Sequence, residues 1–187
     1  MKDNGNLQWT ETRRKILTKC RIFDLYEVEK ISPDGDGGSF YLLDAPDWIT
    51  VIPLIRDKNG TDCFLMVEQY RHGSDEITLE FPAGMIDDGE LPLTAAKREL
   101  LEETGYASSE LIEIGVVSPN PAFMNNTLYT FIANGLDFIG EQDLDKDEFI
   151  HFHLIPCTEV FEKMGTGRYS NGVMMMALAY YQRWLGE

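Results

Sequence analysis

The sequence predicts an α/β protein in which a mixed sheet is covered by helices. Segments with strand-like apolar patterns follow one another through most of the chain. An Asn-Gly dipeptide at 59–60 separates two of them, which is typical of a tight antiparallel hairpin. Residues 92–104 and 171–185 instead have helical character. Hairpin-paired strands combined with helices of this length indicate a mixed sheet with helices packed on it.

The N-terminal part of the chain predicts a small antiparallel extension. Residues 20–31 and 39–44 have strand character, and the turn-rich run PDGDGG at 33–38 separates them. A chain of 187 residues is long enough for one compact domain with an extension of this kind. We therefore expect an N-terminal β-hairpin extension over residues 1–47 and a second domain over residues 48–187.

The second domain is expected to begin with a hairpin. Its strands are TVIPLI at 50–55 and CFLMVEQYR at 63–71, joined at DKNG. A short segment at 77–84 then leads into an acidic stretch. Further strands are expected at 111–118, 127–133 and 149–155. A C-terminal helix at 171–185 completes the prediction.

Composition excludes several classes of partner. The chain has 16 Lys and Arg against 32 Asp and Glu, a formal net charge of -16. Broad binding to nucleic acid backbones requires clustered Lys and Arg, so we expect no nucleic acid partner. No apolar run approaches the roughly 20 residues that span a bilayer, so we expect no membrane association either. A small anionic substrate remains compatible if metal ions reverse the charge locally.

The cysteines and the N-terminus both predict a cytoplasmic protein. Cys20, Cys63 and Cys157 are odd in number and far apart, so they form neither a zinc knuckle nor a disulfide framework. Residues 1–15 contain no apolar run of the kind found in secretory signals.

The acidic stretch predicts a helix with three glutamates on one face. Pro92 suits the first turn of a helix and Gly105 suits the position just after its end. Between them, Glu99, Glu102 and Glu103 stand at i, i+3 and i+4, where like charges repel. No Lys or Arg follows four residues later to relieve this repulsion. Divalent cations would relieve it, and carboxylate oxygens suit Mg²⁺ or Mn²⁺. A solvated acidic face is the alternative.

The order of residues in 84–106 resembles the signature of the Nudix hydrolases. The fixed positions follow one another as Gly84, Glu90, Arg98-Glu99-Leu100, Glu102-Glu103 and Gly105. Tyr106 stands where an aliphatic residue is commoner. The resemblance implies a Nudix-type α-β-α sandwich with a mixed sheet from about residue 48 to the end. It also implies a hydrolase that uses divalent cations to cleave nucleoside diphosphates linked to another moiety.

The same resemblance assigns roles to individual residues. Glu99, Glu102 and Glu103 match the metal-binding carboxylates, and Ala83 stands where a main-chain carbonyl can join them. Gly84 matches a glycine at which the backbone approaches the metals. Arg98 matches the partner of Glu90 in a pair that braces the loop, and we group Arg98 and Glu103 with the catalytic residues.

Segments flanking the signature resemble the branch that hydrolyses ADP-ribose and other nucleoside diphosphate sugars. In that branch an arginine placed like Arg71, in VEQYR, meets the diphosphate, and a glutamate placed like Glu80, in LEFPAG, positions substrate or metals. Members often exchange an N-terminal extension, so we expect a homodimer. Trp48 would stack on a nucleobase, although packing in the core or in the dimer interface is equally open.

The general base is expected outside the helix, on the acidic loop at 140–149. Glu148 aligns best with the family's loop glutamate, because an apolar alternating strand follows it. Glu141 is the alternative. Asp145 and Asp147 are interpreted as solvated charges. His151 and His153 alternate onto one strand face and are interpreted as strand surface rather than as metal ligands.

Together these inferences predict hydrolysis of nucleoside diphosphate sugars, such as ADP-ribose or GDP-mannose, to a nucleoside monophosphate and a sugar phosphate. The run MNN after SPNPAF, at 118–123, departs from the commoner ADP-ribose form, so the prediction covers these sugars generally. Alternatives are hydrolysis of dinucleoside polyphosphates or nucleoside triphosphates, and a ligand-binding Nudix protein without catalysis.

Overall fold

The structure is a computed structural model that describes residues 7–146 and 148–186. By its internal contacts the chain divides into two compact units. The first comprises Met1–Pro46 and Ser118–Thr127, and the second comprises Asp47–Val117 and Leu128–Glu187. The sequence did not indicate that residues 118–127 would join the N-terminal unit.

The first unit is built on a three-stranded antiparallel sheet in the order β1-β2-β3. Its strands are β1 (Thr10–Lys19), β2 (Asp24–Ile31) and β3 (Gly37–Asp44). The predicted N-terminal antiparallel hairpin, β2 with β3, is confirmed. Strand β1 was not predicted, because TETRRKILTK is mostly polar and is exposed along its whole length. The returning segment bonds to this sheet, where Leu43 N–H donates to Phe123 O at 2.8 Å.

The second unit contains a seven-stranded sheet, and its mixed strand directions confirm the prediction of a mixed sheet. The order is β10-β5-β4-β9-β8, with β6 paired to β5 and β7 paired to β4. The pair β4–β9 is parallel and the other pairs are antiparallel. The strands are β4 (Trp48–Arg56), β5 (Asp62–Arg71), β6 (Glu76–Glu80), β7 (Ala83–Met85), β8 (Tyr106–Val117), β9 (Leu128–Phe138) and β10 (His151–Pro156).

The hairpin between β4 and β5 has the turn that its sequence predicts. Arg56 stands opposite Asp62 in the register. The carboxylate of Asp57 accepts bonds of 2.8 Å from the N–H groups of Asn59 and Thr61. Gly60 has φ +83°, a left-handed conformation that glycine adopts without strain. Local side-chain bonding and one glycine therefore fix where these strands pair.

Helices cover both faces of the second sheet, which confirms the predicted sandwich. They are α1 (Pro92–Thr104), α2 (Cys157–Lys163) and α3 (Gly172–Leu185). On one face, α1 packs Ala95, Ala96 and Leu100 against β4, β5 and β9. On the other, α3 and α2 pack against side chains of β4, β5 and β6. Helix α2 was not predicted, because its seven residues follow β10 without a break.

Within residues 7–146 and 148–186, no helix is long and apolar enough to cross a bilayer.

Candidate active site

Helix α1 is fixed at both ends by local backbone chemistry. Leu91 is extended (φ -84°, ψ 144°) and Pro92 occupies the first turn, where its missing N–H is not needed. At the other end Gly105 is left-handed (φ 72°) and donates its N–H to Leu101 O at 2.7 Å. A Cβ at Gly105 would lie 2.2 Å from Gly140 O, so no other residue fits. The acidic helix therefore ends directly against the loop that begins at residue 140.

Arg98 binds several of the acidic side chains around α1. Its Nε and Nη2 donate to the two oxygens of Glu90 at 3.1 and 2.9 Å, a bidentate pair of the strong kind. Its Nη1 donates to Glu99 at 2.7 Å and to Glu102 at 3.1 Å, and its Nη2 also reaches Met85 O at 3.0 Å. The repulsion expected on the helix is therefore partly relieved by an arginine that precedes the glutamates.

Two glutamates of α1 are held where ionisation is costly. Glu103 is 3% exposed, and Ala83 N–H donates to its Oε2 at 3.1 Å. Burial raises the pKa of Glu103 well above its usual range, and the charges of Glu99 and Glu148 raise it further. Burial also raises the pKa of Glu99, against the lowering effect of Arg98. A cation bound beside these carboxyl groups would favour their charged forms and lower their pKa values again.

Gly84 lies against one of these carboxylates. It belongs to β7, which pairs with β4 so that Gly84 stands opposite Ile49 and Ala83 opposite Thr50. A Cβ at Gly84 would lie 2.0 Å from Oε1 of Glu99. A side chain at this position would therefore displace the Glu99 carboxylate, although the φ of Gly84 is not positive.

Arg71 and Glu80 meet across the β5–β6 pair. Nε of Arg71 donates to Oε1 of Glu80 at 2.8 Å, and Nη2 donates to the other oxygen. Thr78 also donates its hydroxyl to Glu80. Burial lowers the pKa of Arg71, but the bond to Glu80 and the charges of Glu80, Glu103 and Glu148 outweigh it, so the net shift is upward. The guanidinium therefore lies within electrostatic reach of the acidic cluster.

Gln69 is a candidate that sequence reasoning missed. Strand alternation places it on the face of β5 that carries Arg71, and its cross-strand neighbour is Thr78. Its Nε2 is buried and bonds to no group in the part of the chain that the structure describes. A buried amide nitrogen without a partner is costly and is expected to meet a ligand or water. The sequence did offer a signal for Gln69, because a strand residue two positions before Arg71 lies on the same face as Arg71.

Glu148 lies on the loop before β10 and is exposed. Its N–H donates to Asp145 O at 2.9 Å, and its Oε2 accepts from Asp145 N–H at 3.1 Å. Its charge contributes to the pKa values of Glu99, Glu103 and Arg71, so it lies near all three. The alternative base, Glu141, is also exposed and instead lines a cavity with Gln142 and Phe152. Asp147, interpreted from the sequence as a solvated charge, is outside the described residues.

The carboxylates of Glu99, Glu102 and Glu103 are ligands that suit a hard divalent cation, although they do not converge on one point in this structure. No three Asp, Glu, His or Cys side chains within 7–146 and 148–186 converge in a geometry that would hold a metal ion. Two of the expected ligands, Glu99 and Glu102, are bonded to Arg98 instead. Carboxylate oxygens nevertheless form the set that Mg²⁺ and Mn²⁺ prefer, and a bound cation would favour the charged forms of Glu99 and Glu103, whose pKa values burial raises.

Comparison with known protein families shows the family to which this chain belongs. Residues 47–175, well over half of the chain, match the NUDIX domain. The chain belongs to the Nudix hydrolase family. The resemblance of residues 84–106 to the Nudix signature is thereby confirmed, as is the prediction of an enzyme.

Individual relatives of this Nudix protein are enzymes acting on ADP compounds. It is 27% identical over 174 residues to the ADP-ribose pyrophosphatase of Bacillus subtilis (strain 168), covering 90% of this chain and 92% of that protein. It is 42% identical over 94 residues to the ADP-sugar pyrophosphatase of Mus musculus, covering 49% of this chain and 43% of that one. A crystal structure of an ADP compounds hydrolase has a TM-score of 0.83, covers 96% of each chain and is 21% identical, which establishes a shared fold.

Two further predicted residues lie on strands of this Nudix domain. Trp48 is half-buried at the start of β4, and its neighbours Ile49 and Val51 pack with α1. Trp48 therefore alternates onto the opposite face, and stacking on a nucleobase stays a prediction. His153 bonds through Nε2 to Glu68 at 3.1 Å, which is an ordinary strand-surface contact.

Proposed function

We propose that this protein hydrolyses the diphosphate bond of nucleoside diphosphate sugars, in a reaction that depends on Mg²⁺ or Mn²⁺. The products would be a nucleoside monophosphate and a sugar phosphate. The proposal is supported by the ADP-ribose pyrophosphatase and ADP-sugar pyrophosphatase relatives. It goes beyond family membership in naming the substrate class, the cation and the residues that act.

One observation carries the proposal. Acidic side chains and a cationic guanidinium lie within electrostatic reach of each other, because the charges of Glu103 and Glu148 both act on Arg71. A diphosphate bridged by divalent cations needs both kinds of partner: carboxylates for the cations and a guanidinium for the phosphate oxygens. A solvated acidic surface would need neither the burial of Glu103 nor the nearby arginine.

The metal-binding roles are proposed for Glu99, Glu102 and Glu103, with the carbonyl of Ala83 as a further ligand. When bound, divalent cations supply charge neutralisation for the diphosphate oxygens. Arg98 would hold the helix and the loop together through Glu90, independently of the cations. Its bonds to Glu99 and Glu102 keep these carboxylates close to the site while no cation is bound.

The substrate-binding and catalytic roles fall to side chains outside α1. Nε and Nη2 of Arg71 are bonded to Glu80, so the guanidinium plane is fixed and its Nη1 would donate to phosphate. Glu80 would thus act by orienting Arg71. Glu148, exposed and beside Glu99 and Glu103, would take the proton from the attacking water. Trp48 is retained as a proposed platform for the base.

A substrate panel tests the proposal. Purified protein with Mg²⁺ or Mn²⁺ would be given ADP-ribose, GDP-mannose, UDP-glucose, a dinucleoside polyphosphate and a nucleoside triphosphate, and products would be identified by chromatography. We expect cleavage of one or more of the sugar nucleotides to a monophosphate and a sugar phosphate. Glu103→Gln should abolish it, whereas Glu113→Gln, at an exposed position on β8, should not. Preference for the polyphosphate or triphosphate would overturn the substrate class.

We further propose that the protein is a homodimer formed through its N-terminal extension, residues 1–47, with residues 48–187 as the catalytic domain. Large apolar side chains are exposed on that extension, including Ile22, Ile31 and Tyr41. Burial of such side chains in a dimer interface would remove apolar surface from water. Light scattering should give the mass of two chains, and Tyr41→Asp should shift it toward one.

A further inference from the structure

Gln142 connects the loop after β9 to the end of helix α1. Its Nε2 donates to the main-chain carbonyl of Glu103 at 2.5 Å and also contacts that of Ile150 at 3.3 Å. Next to it, Asp143 N–H donates to the carbonyl of Glu102 at 3.0 Å. One side-chain amide thus bonds to the last turn of the acidic helix and to the residue that precedes β10.

These bonds hold the two ends of the loop that carries Glu148. At one end, Gln142 and Asp143 are tied to the backbone of α1. At the other, Ile150 is 4% exposed, and β10 begins immediately after it in register with β5. Between these ends, Glu148 closes a turn on Asp145 through its N–H and its carboxylate. The Gln142 amide therefore links the two ends of the loop, at residues 142 and 150, and the turn of Asp145 and Glu148 lies between them.

We propose that Gln142 is a positioning residue that holds the 143–149 loop against α1, so that Glu148 faces Glu99 and Glu103. This inference rests on the proposed function, because it gives Gln142 a role through the proposed base. Both hydrogen bonds of the Gln142 amide go to main-chain carbonyls. The carbonyl that it binds belongs to Glu103, so the loop is bonded to a residue that is also a proposed metal ligand.

The first test removes the amide and keeps the side-chain volume. Gln142→Met should lower kcat about ten- to a hundredfold while leaving KM unchanged, since a displaced base slows the chemical step without weakening substrate binding. Amide hydrogen exchange of residues 139–150, measured without substrate, should become faster. Gln182→Met, the same change at an exposed position on α3, should alter neither quantity. Unchanged kcat and unchanged exchange in Gln142→Met would overturn the inference.

Gln142→Glu provides a second variant if the first one is poorly folded. It has the same shape, but it places an acceptor opposite two carbonyl oxygens, so its loss of kcat should be at least as large. Equal thermal midpoints for the variant and the wild type would show that the loss is not caused by unfolding. A variant with wild-type kcat would contradict the assignment of Gln142.

A double variant separates this inference from the proposed function. In a Glu148→Gln background, Gln142→Met should cause no further loss of kcat, because the residue acts through Glu148. If the double variant instead lost kcat by the product of the two single losses, the positioning role of Gln142 would be overturned, and Glu148 would remain the proposed base. Full activity in Glu148→Gln alone would overturn the proposed base itself, a result that is distinct from failure at Gln142.

Discussion

Arg71 and Glu80 form a two-bonded ion pair in which the carboxylate is 2% exposed and the guanidinium lies partly in solvent. The partly open guanidinium can meet a substrate, whereas the closed carboxylate can only orient its partner. The difference in exposure therefore favours a substrate-binding role for Arg71 and a structural role for Glu80.

Arg71→Met should therefore reduce both stability and substrate affinity. Glu80 would remain buried without its partner, and we expect the free energy of unfolding to fall by about 2 kcal/mol, less than for a fully buried pair. KM should rise. Adding Glu80→Gln should restore much of the stability without restoring KM, as measured by urea unfolding and steady-state kinetics. Recovery of both would contradict a binding role for Arg71.

Gly84→Ala tests the contact between β7 and Glu99. The new Cβ would displace a flexible carboxylate rather than backbone, so the free energy of unfolding should change by less than about 1 kcal/mol. Activity should nevertheless fall sharply, because Glu99 would move. Gly73→Ala is the matched control, since a Cβ there meets nothing within 4 Å. Wild-type activity in Gly84→Ala would show that the position of Glu99 is unimportant.

Arg98→Lys tests whether the guanidinium fork, rather than its charge alone, holds the loop and the helix together. Lysine cannot reproduce the bidentate bond to Glu90 and the bonds to Glu99 and Met85 O together, so we expect a loss of about 1–2 kcal/mol in unfolding free energy. Arg56→Lys is the control, because its pair with Asp62 is exposed and should matter by less than about 0.5 kcal/mol. Equal effects would mean that Arg98 is an ordinary surface charge.

Glu103→Gln should make the metal-free protein more stable while abolishing turnover. Burial raises the pKa of Glu103, so stability is fully present below the ordinary glutamate pKa of about 4.3 and is lost as pH rises through the raised value. Glutamine keeps the acceptor for Ala83 N–H and has no such dependence. Thermal unfolding from pH 4 to 8 should show a flatter profile in the variant. A less stable variant at pH 8 would contradict this account.

The sequence predicted the fold where side chains determine local geometry. The Asn59–Gly60 turn, the Pro92 start and the Gly105 end of α1 act within a few residues, so their effects can be read without the rest of the chain. Strand β1 was not predicted, because all of its residues are exposed and its sequence therefore has no alternation of apolar and polar positions. The grouping of residues 118–127 with the N-terminal unit depends on long-range contacts that have no local pattern.

The sequence predicted which residues belong to the candidate site, but it did not predict all of the bonds between them. The spacing of Glu99, Glu102 and Glu103 places them on one helix, but it does not reveal that Arg98 bonds to the first two. The amide of Gln142 likewise binds residues 39 and 8 positions away, and neither contact leaves a sequence signal. Contacts between distant segments set the orientation of these side chains, and they emerge only from the folded chain.

The most direct measurement is a crystal structure of the protein with Mn²⁺ and a non-hydrolysable ADP-ribose analogue, with the cations located by their anomalous scattering. The account predicts Mn²⁺ bound by Glu99, Glu102 and Glu103, and the diphosphate between these ions and Arg71. Cations bound elsewhere, or a diphosphate far from Arg71, would contradict it.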